Sequence, residues 1–228
     1  MSDAPNMPNN EVQQPDEQSA QADSTPARKR PKPGERRIQI LQTLAEMLQQ
    51  PTADRITTAA LAARLDVSEA ALYRHFASKA QMFEGLIEFI EQSVFTLINQ
   101  IIEREEAAAA GAPGVGARQA AKIVAMLMQF AERNPGMARV MVGDALVFEN
   151  ERLQQRMNQF FDKIESTLKQ CLRAAPVAEG SATPTVDAQV RASVMAAFIA
   201  GRLQRFVRSG FKRPPSEHLE ASLDTLLG

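Results

Sequence analysis

Between Ile56 and Glu91 the chain reads ITTAALAARLDVSEAALYRHFASKAQMFEGLIEFIE, and three helix caps inside that run constrain how it can fold. Thr57 or Thr58 can cap a short helix over Ala59 to Leu65, because a hydroxyl there accepts from an otherwise unbonded backbone N–H. Asp66 and Val67 make a tight turn, and Ser68 caps a second helix whose first turn carries Glu69 at the positive end of the helix dipole. Ser78 caps a third. Leu61, Leu65, Val67, Leu72 and Phe76 can meet between two crossed helices, while the outward residues are short or polar. Two short helices joined by a tight turn, the second slim enough for a major groove about 12 Å wide, are what a helix-turn-helix requires. A plain helical hairpin in an all-helical protein is the bland alternative.

The flanking sequence supplies the rest of a head. From Glu35 to Gln49, Ile38, Leu41, Leu44, Ala45 and Leu48 recur at helical spacing, and Pro51 ends that helix. Residues 1–33 are rich in Pro, Gln, Asn, Ser and Asp and hold almost no large apolar side chain, so they are expected to be disordered. Charge is segregated there. Asp3, Glu11, Asp16, Glu17 and Asp23 come first, and then Arg28, Lys29, Arg30, Lys32, Arg36 and Arg37 opposed only by Glu35. A basic arm just before a helix-turn-helix can lie along phosphates and release counterions, although a solvated charge run would read the same way. The net charge of −1 gives no hint of this.

Beyond the head, a long helix from about Lys79 to Glu103 carries Phe83, Ile87, Ile90, Val94, Ile98 and Ile101 as an apolar stripe, with Leu86 and Leu97 beside it. Lys79 at its amino end can meet a phosphate together with free backbone N–H groups. Phe89 lies off the stripe, on a face shared with Met82, Gly85, Gln92, Ser93, Thr96 and Gln100, where it either packs under another helix or is left for a partner. Glu105 to Ala117 reads as a connector, followed by a helix from Arg118 to Arg133. Asn134 is expected to cap and Pro135 to open a helix reaching Phe148. Asn150 to Arg173 is a further long helix, and Ala174 to Thr185 a second loop. The last predicted helix, Val186 to Ser209, carries Ala192, Ala196, Ala197, Ala200 and Gly201. Such a small-residue face suits a four-helix dimer interface, although a monomeric core would look similar.

Function classes narrow accordingly. The apolar runs fall short of the ~20 residues a spanning helix needs, and the first 21 residues lack a secretory pattern. Cys171, His75 and His218 form no nucleophile–base arrangement, and neither metal-ligand spacing nor a phosphate-cradling glycine loop occurs, so no catalytic, metal or cofactor site is expected. Cys171 reads as a small buried hydrophobe in a reducing compartment.

The segment LYRHFASKAQMF, behind the cap at Thr57, closely resembles the DNA-binding head of the TetR family of transcriptional regulators. The resemblance implies an all-α homodimer on palindromic double-stranded DNA. A disordered extension with a basic end (1–33) would precede a helix-turn-helix head (34–80) and a helical dimerisation and partner-binding domain (81–228). It implies that Tyr73, His75 and Lys79 touch phosphates, and that Thr58, Ser68, Ala70 and Ala71 lie at or near base edges, with Thr57 and Glu69 in the same DNA-facing set. The likeness extends through FAERNPGMARVMVGDALVFENERLQQRMNQFFDKIE and LQRFVRSGFKRPP, which look like a branch of the family that couples DNA to FtsZ, the tubulin-like division GTPase. That branch implies a cytoplasmic, nucleoid-associated antagonist of division-ring assembly, with Phe89, Arg133 and Asn134 on the FtsZ-binding surface. An ordinary repressor released by a small ligand shares the head. The predicted inward faces, almost wholly Ile, Val, Leu, Met and Phe, favour packing over a polar ligand, whereas a lipophilic one would escape that argument.

Overall fold

A computed structural model describes residues 34–50, 56–109, 112, 114–173 and 184–227. The acidic and basic stretches before residue 34, Pro51, and most of the loop expected at Ala174 to Thr185 lie outside the described residues. Within them, every regular element is helical.

The head is built from α1 (Glu35–Leu48), α2 (Thr58–Leu65) and α3 (Glu69–Tyr73), with the first turns of α4 (Lys79–Ala109) as its floor. Ile40, Leu41, Leu44 and Leu48 of α1 join Leu61, Leu65, Leu72, Phe76, Met82, Phe83 and Leu86 in one buried cluster. Ile38, expected on the inward stripe, is 49% exposed. Ile40 is buried in its place, because the stripe centres on 40, 41, 44, 45 and 48 and Ile38 falls about 90° from its middle.

Three boundaries differ from expectation. The long helix does not stop at Glu103. It runs to Ala109, since the EEAAA stretch is made of strong helix formers, and α5 already begins at Val115 (Val115–Arg133). The helix after Asn134 is short: α6 spans Pro135–Met141, and Gly143 at φ 78° turns the chain into a single 3-10 turn over Asp144–Leu146. Finally, α7 (Glu151–Arg173) and α8 (Pro184–Arg208) are followed by α9 (Leu219–Leu227), a helix absent from the expected order. Its signal is Leu219, Leu223 and Leu227 four residues apart, and all three pack against the core.

In the body α4 and α5 run antiparallel, and their far ends are clamped where Glu105, itself buried, receives Lys122 and Arg118 while Gln119 donates to the carbonyl of Ile102. The lysine and arginine hold the Glu105 carboxyl below its ordinary range, the Lys122 hydrogen bond being the main cause. Ile123, Val124, Leu127, Phe160, Ile164, Leu168, Met195 and Ile199 fill the space between α5, α7 and α8 with no exposed surface. Cys171 sits at the edge of this core, and burial pushes its thiol up to about 11. On the opposite face of α8, Val186, Val190 and Val194 stand open at 57%, 56% and 47% exposure, beside exposed Ser193, Ala197 and Gly201. A Cβ added at Gly201 would meet nothing within 4 Å.

Head and body meet at α6. Gly136 lies so close to α1 that a Cβ there would fall 1.8 Å from the carbonyl oxygen of Ala45. Arg139, buried, donates to the carbonyls of Leu48 and Gln50 at 3.4 and 3.3 Å and pairs with Asp144 at 2.6 Å. The unbonded carbonyls at the end of α1 are thereby satisfied from the body.

Candidate nucleic-acid interface

Local capping builds this surface. Thr57 Oγ1 accepts from Ala60 N–H at 3.1 Å, and Ser68 Oγ accepts from Ala71 N–H at 3.3 Å, so both short helices start where side-chain oxygens take up free donors. Asp66 turns the chain between them in the left-handed region (φ 55°). At α4, Ser78 Oγ accepts from Gln81 N–H, and Gln81 Oε1 reaches back past the cap to accept from Ala77 N–H, a variant of the capping box whose signal is the spacing Ser-x-x-Gln.

The second helix of the pair is short. α3 has five residues, and the N–H groups of His75 and Phe76 both turn back to the carbonyl of Leu72. Leu72 and Phe76 are buried, which leaves Ser68, Glu69, Ala70, Tyr73, Arg74 and His75 on the outside and Ala71 half-exposed. Arg37 fixes the end of this turn: it donates to the carbonyl of His75 at 2.8 Å, and its guanidinium stacks 4.1 Å above the Phe76 ring. That arginine, counted with the basic arm, is thus engaged within the head.

The structure brings Thr58, Glu69 and Tyr73 together. Thr58 Oγ1 donates to Glu69 Oε2 at 2.6 Å and accepts from the Tyr73 hydroxyl at 3.4 Å, so in the free protein these groups bond to one another. Thr58 and Tyr73 can exchange these partners for a phosphate or base edge, whereas the Glu69 carboxylate is an acceptor suited to the amino group of cytosine. Thr57 is exposed beside them. Lys79 is placed differently. Its ammonium lies 2.5 Å from Glu149 Oε1, in the segment before α7, and 5.6 Å from the centre of the Phe83 ring. Glu149 is 70 residues away in the chain, and no local pattern announces it.

The three residues assigned to a partner come from the middle of α4, the end of α5 and the junction of α5 with α6. Phe89 is half-buried against the core, and Met82 and Gly85, on its supposedly polar face, are buried too: a Cβ at Gly85 would be 3.0 Å from the Phe76 ring. Arg133 is exposed at the end of α5. Asn134 does not cap α6 with its side chain; its Nδ2 donates to the carbonyl of Phe130 at 2.8 Å and closes α5 instead. A cleft of about 350 Å³ opens beside it, lined by Gln42, Ala45, Glu46 and Gln49 of α1 with Asn134 and Met137. Among the described residues no group of three metal-ligating side chains occurs, and no helix is long and apolar enough to cross a membrane.

A capped two-helix unit with an exposed second helix, set on a helical body, is the architecture of a DNA-binding regulator. Residues 40–86 match the model for bacterial regulatory proteins of the tetR family, and residues 117–227 match the SlmA-like form of the tetracyclin repressor-like C-terminal domain. The chain belongs to the TetR family. It is similar to the nucleoid occlusion factor SlmA of Aliivibrio fischeri (strain MJ11), 49% identical over 189 residues, 82% of this chain and 92% of that one. To SlmA of Idiomarina loihiensis it is 49% identical over 186 residues, covering 82% and 90%. Within the family, the chain is therefore one of the nucleoid occlusion factors. The fold is also that of the regulator FadR from Bacillus subtilis, solved with stearoyl-CoA (TM-score 0.62, 15% identity, 84% of this chain and 97% of that one).

Proposed function

We propose that this chain binds palindromic chromosomal sites as a homodimer and, from there, binds FtsZ and prevents division-ring assembly over the nucleoid. The observation that carries this is the 49% identity to SlmA relatives across both head and body. In this reading residues 34–80 grip the duplex, residues 81–228 dimerise and hold the partner, and the basic end of residues 1–33 tracks phosphates. Tyr73 and His75 meet phosphates directly, whereas Lys79 does so by exchanging Glu149 for a phosphate oxygen. Thr57, Thr58, Ser68, Glu69, Ala70 and Ala71 face the bases. The open Val186, Val190 and Val194 stripe on α8 packs with α7 against a second copy, as a two-fold palindrome requires. Phe89, Arg133 and Asn134 form the FtsZ surface. The chain works in the cytoplasm, on the nucleoid, and performs no catalysis.

A double dissociation tests this reading. Tyr73→Ala should weaken binding to duplex and leave FtsZ binding in solution intact. Phe89→Ala and Arg133→Ala should leave duplex binding intact and abolish the loss of sedimenting FtsZ filaments. Parent-like suppression of filaments by both body variants would place the partner surface elsewhere.

A further inference from the structure

We infer that Arg74, on the outermost line of the second helix of the head, reads a guanine edge in the major groove and so sets part of the sequence preference. The inference deepens the reading that α3 enters that groove, and it rests on it.

Helix geometry places the side chain. Arg74 follows the last residue of α3 with helical backbone, φ −69° and ψ −23°, and the N–H of Phe76 still reaches the carbonyl of Leu72 at 3.1 Å, so the helical screw holds through this turn. Leu72 and Phe76, each 1% exposed, fix the inward direction. At about 100° per residue, the bisector of that pair lies about 180° from Arg74 and about 140° from Ala70. Both outward residues are exposed and stand one turn apart, about 6 Å along the axis, a rise of fewer than two base pairs. Ala70 and half-exposed Ala71 put no bulk ahead of the arginine, so the backbone of α3 can come close to the bases.

The neighbours of Arg74 are tied within the head. On one flank, Thr58 Oγ1 donates to Glu69 at 2.6 Å and accepts from the Tyr73 hydroxyl at 3.4 Å. On the other, Arg37 donates to the carbonyl of His75 at 2.8 Å. Arg36 is engaged along α1 by Gln39. The Arg74 side chain, in contrast, makes no hydrogen bond, ion pair or ring contact among the described residues. The turn that carries it is thus fixed on both sides, and its guanidinium is left for a ligand.

Chemistry selects the base. A guanidinium is a planar fork of donors with no acceptor. In the major groove guanine presents two acceptors side by side, N7 and O6, which that fork bonds together. Adenine sets an amino donor beside its N7, cytosine offers a donor, and thymine has one acceptor beside a methyl group. Phosphates lie along the walls of the groove, toward the flanks of an inserted helix, whereas its outermost line faces the base edges.

The test uses the full chain and duplexes selected by the parent protein from a random pool, with binding read by fluorescence anisotropy. Replacing one guanine per half-site by 7-deazaguanine, which lacks the N7 acceptor, should weaken the parent about tenfold. Inosine at the same place keeps N7 and O6 and should cost no more than about twofold. Arg74→Ala should bind the guanine and 7-deazaguanine duplexes alike and select duplexes with relaxed preference at that position. Arg74→Lys should keep the parent's salt slope and lose the preference, because the charge remains and the fork does not. Thermal unfolding of both variants should match the parent. Uniform weakening of all duplexes by Arg74→Ala, with the slope of log affinity against log salt reduced by about 1, makes Arg74 a phosphate contact and overturns the inference. Tyr73→Ala separates this from the wider reading. If it weakens duplex binding while Arg74→Ala changes neither affinity nor preference, the inference alone fails; if neither variant changes duplex binding, α3 is not the DNA-facing helix.

Discussion

The ammonium of Lys79, at the amino end of α4, sits 2.5 Å from the carboxylate of Glu149, so the residue expected to grip DNA is tied to the body in the free protein. The pair is largely enclosed, with side chains 25% and 12% exposed. Phosphate must compete with Glu149 for this lysine. Glu149→Gln should therefore tighten duplex binding several-fold and lower stability by about 1 kcal/mol, between the values for exposed and buried pairs. Anisotropy titration and urea unfolding read the two effects, and unchanged duplex affinity would mean that Lys79 does not reach DNA.

Lys79→Ala should weaken all duplexes alike and reduce the slope of log affinity against log salt by about 1, the release from one phosphate. Tyr73→Phe removes a hydroxyl without a charge, so it should weaken binding uniformly with the slope unchanged. Substitution of Ala71, half-exposed on α3, should instead alter which sequence is preferred in a selection from random duplexes.

Gly136→Ala tests the head–body joint. With a Cβ placed 1.8 Å from a backbone oxygen that cannot move aside alone, α6 must withdraw from α1 and Arg139 from the carbonyls it bonds. The expected loss is on the order of 3 kcal/mol by chemical denaturation. Gly201→Ala, on the open face of α8, should leave the free monomer unstrained and act through association, shifting the dimer dissociation curve.

Glu105 gives a pH dependence of known sign. Its carboxyl is held below the ordinary value, chiefly by Lys122, so the folded protein gives up this proton more readily than the unfolded chain. The stabilisation is fully present above the unfolded carboxylate value and is lost as pH falls through the folded one. Glu105→Gln should flatten stability against pH in that acid window and nowhere near neutrality, as read from unfolding midpoints across a pH series.

The parts of the fold that can be read in advance are those fixed by neighbours in sequence. Thr57, Ser68 and Ser78 are caps because a hydroxyl reaches a backbone N–H within three residues, and the inward faces of α5 and α7 follow from spacing alone. What stays hidden depends on distant partners. Glu105 reads as the start of a linker because Lys122, which justifies its burial, lies 17 residues on. Asn134 reads as a cap, but the carbonyl of Phe130 competes for its side chain and wins. Phe89 does lie off the inward stripe, yet its face is covered near the head by α1, which helical periodicity within α4 cannot reveal.

The coupling of a DNA grip to a division partner is tested most directly by capture on immobilised operator duplex. Beads carrying the duplex and the parent protein should retain FtsZ, and beads with the Phe89→Ala protein should retain that protein but little FtsZ. Equal FtsZ on both sets of beads, or none with the parent, would contradict the assignment of a DNA-bound FtsZ antagonist.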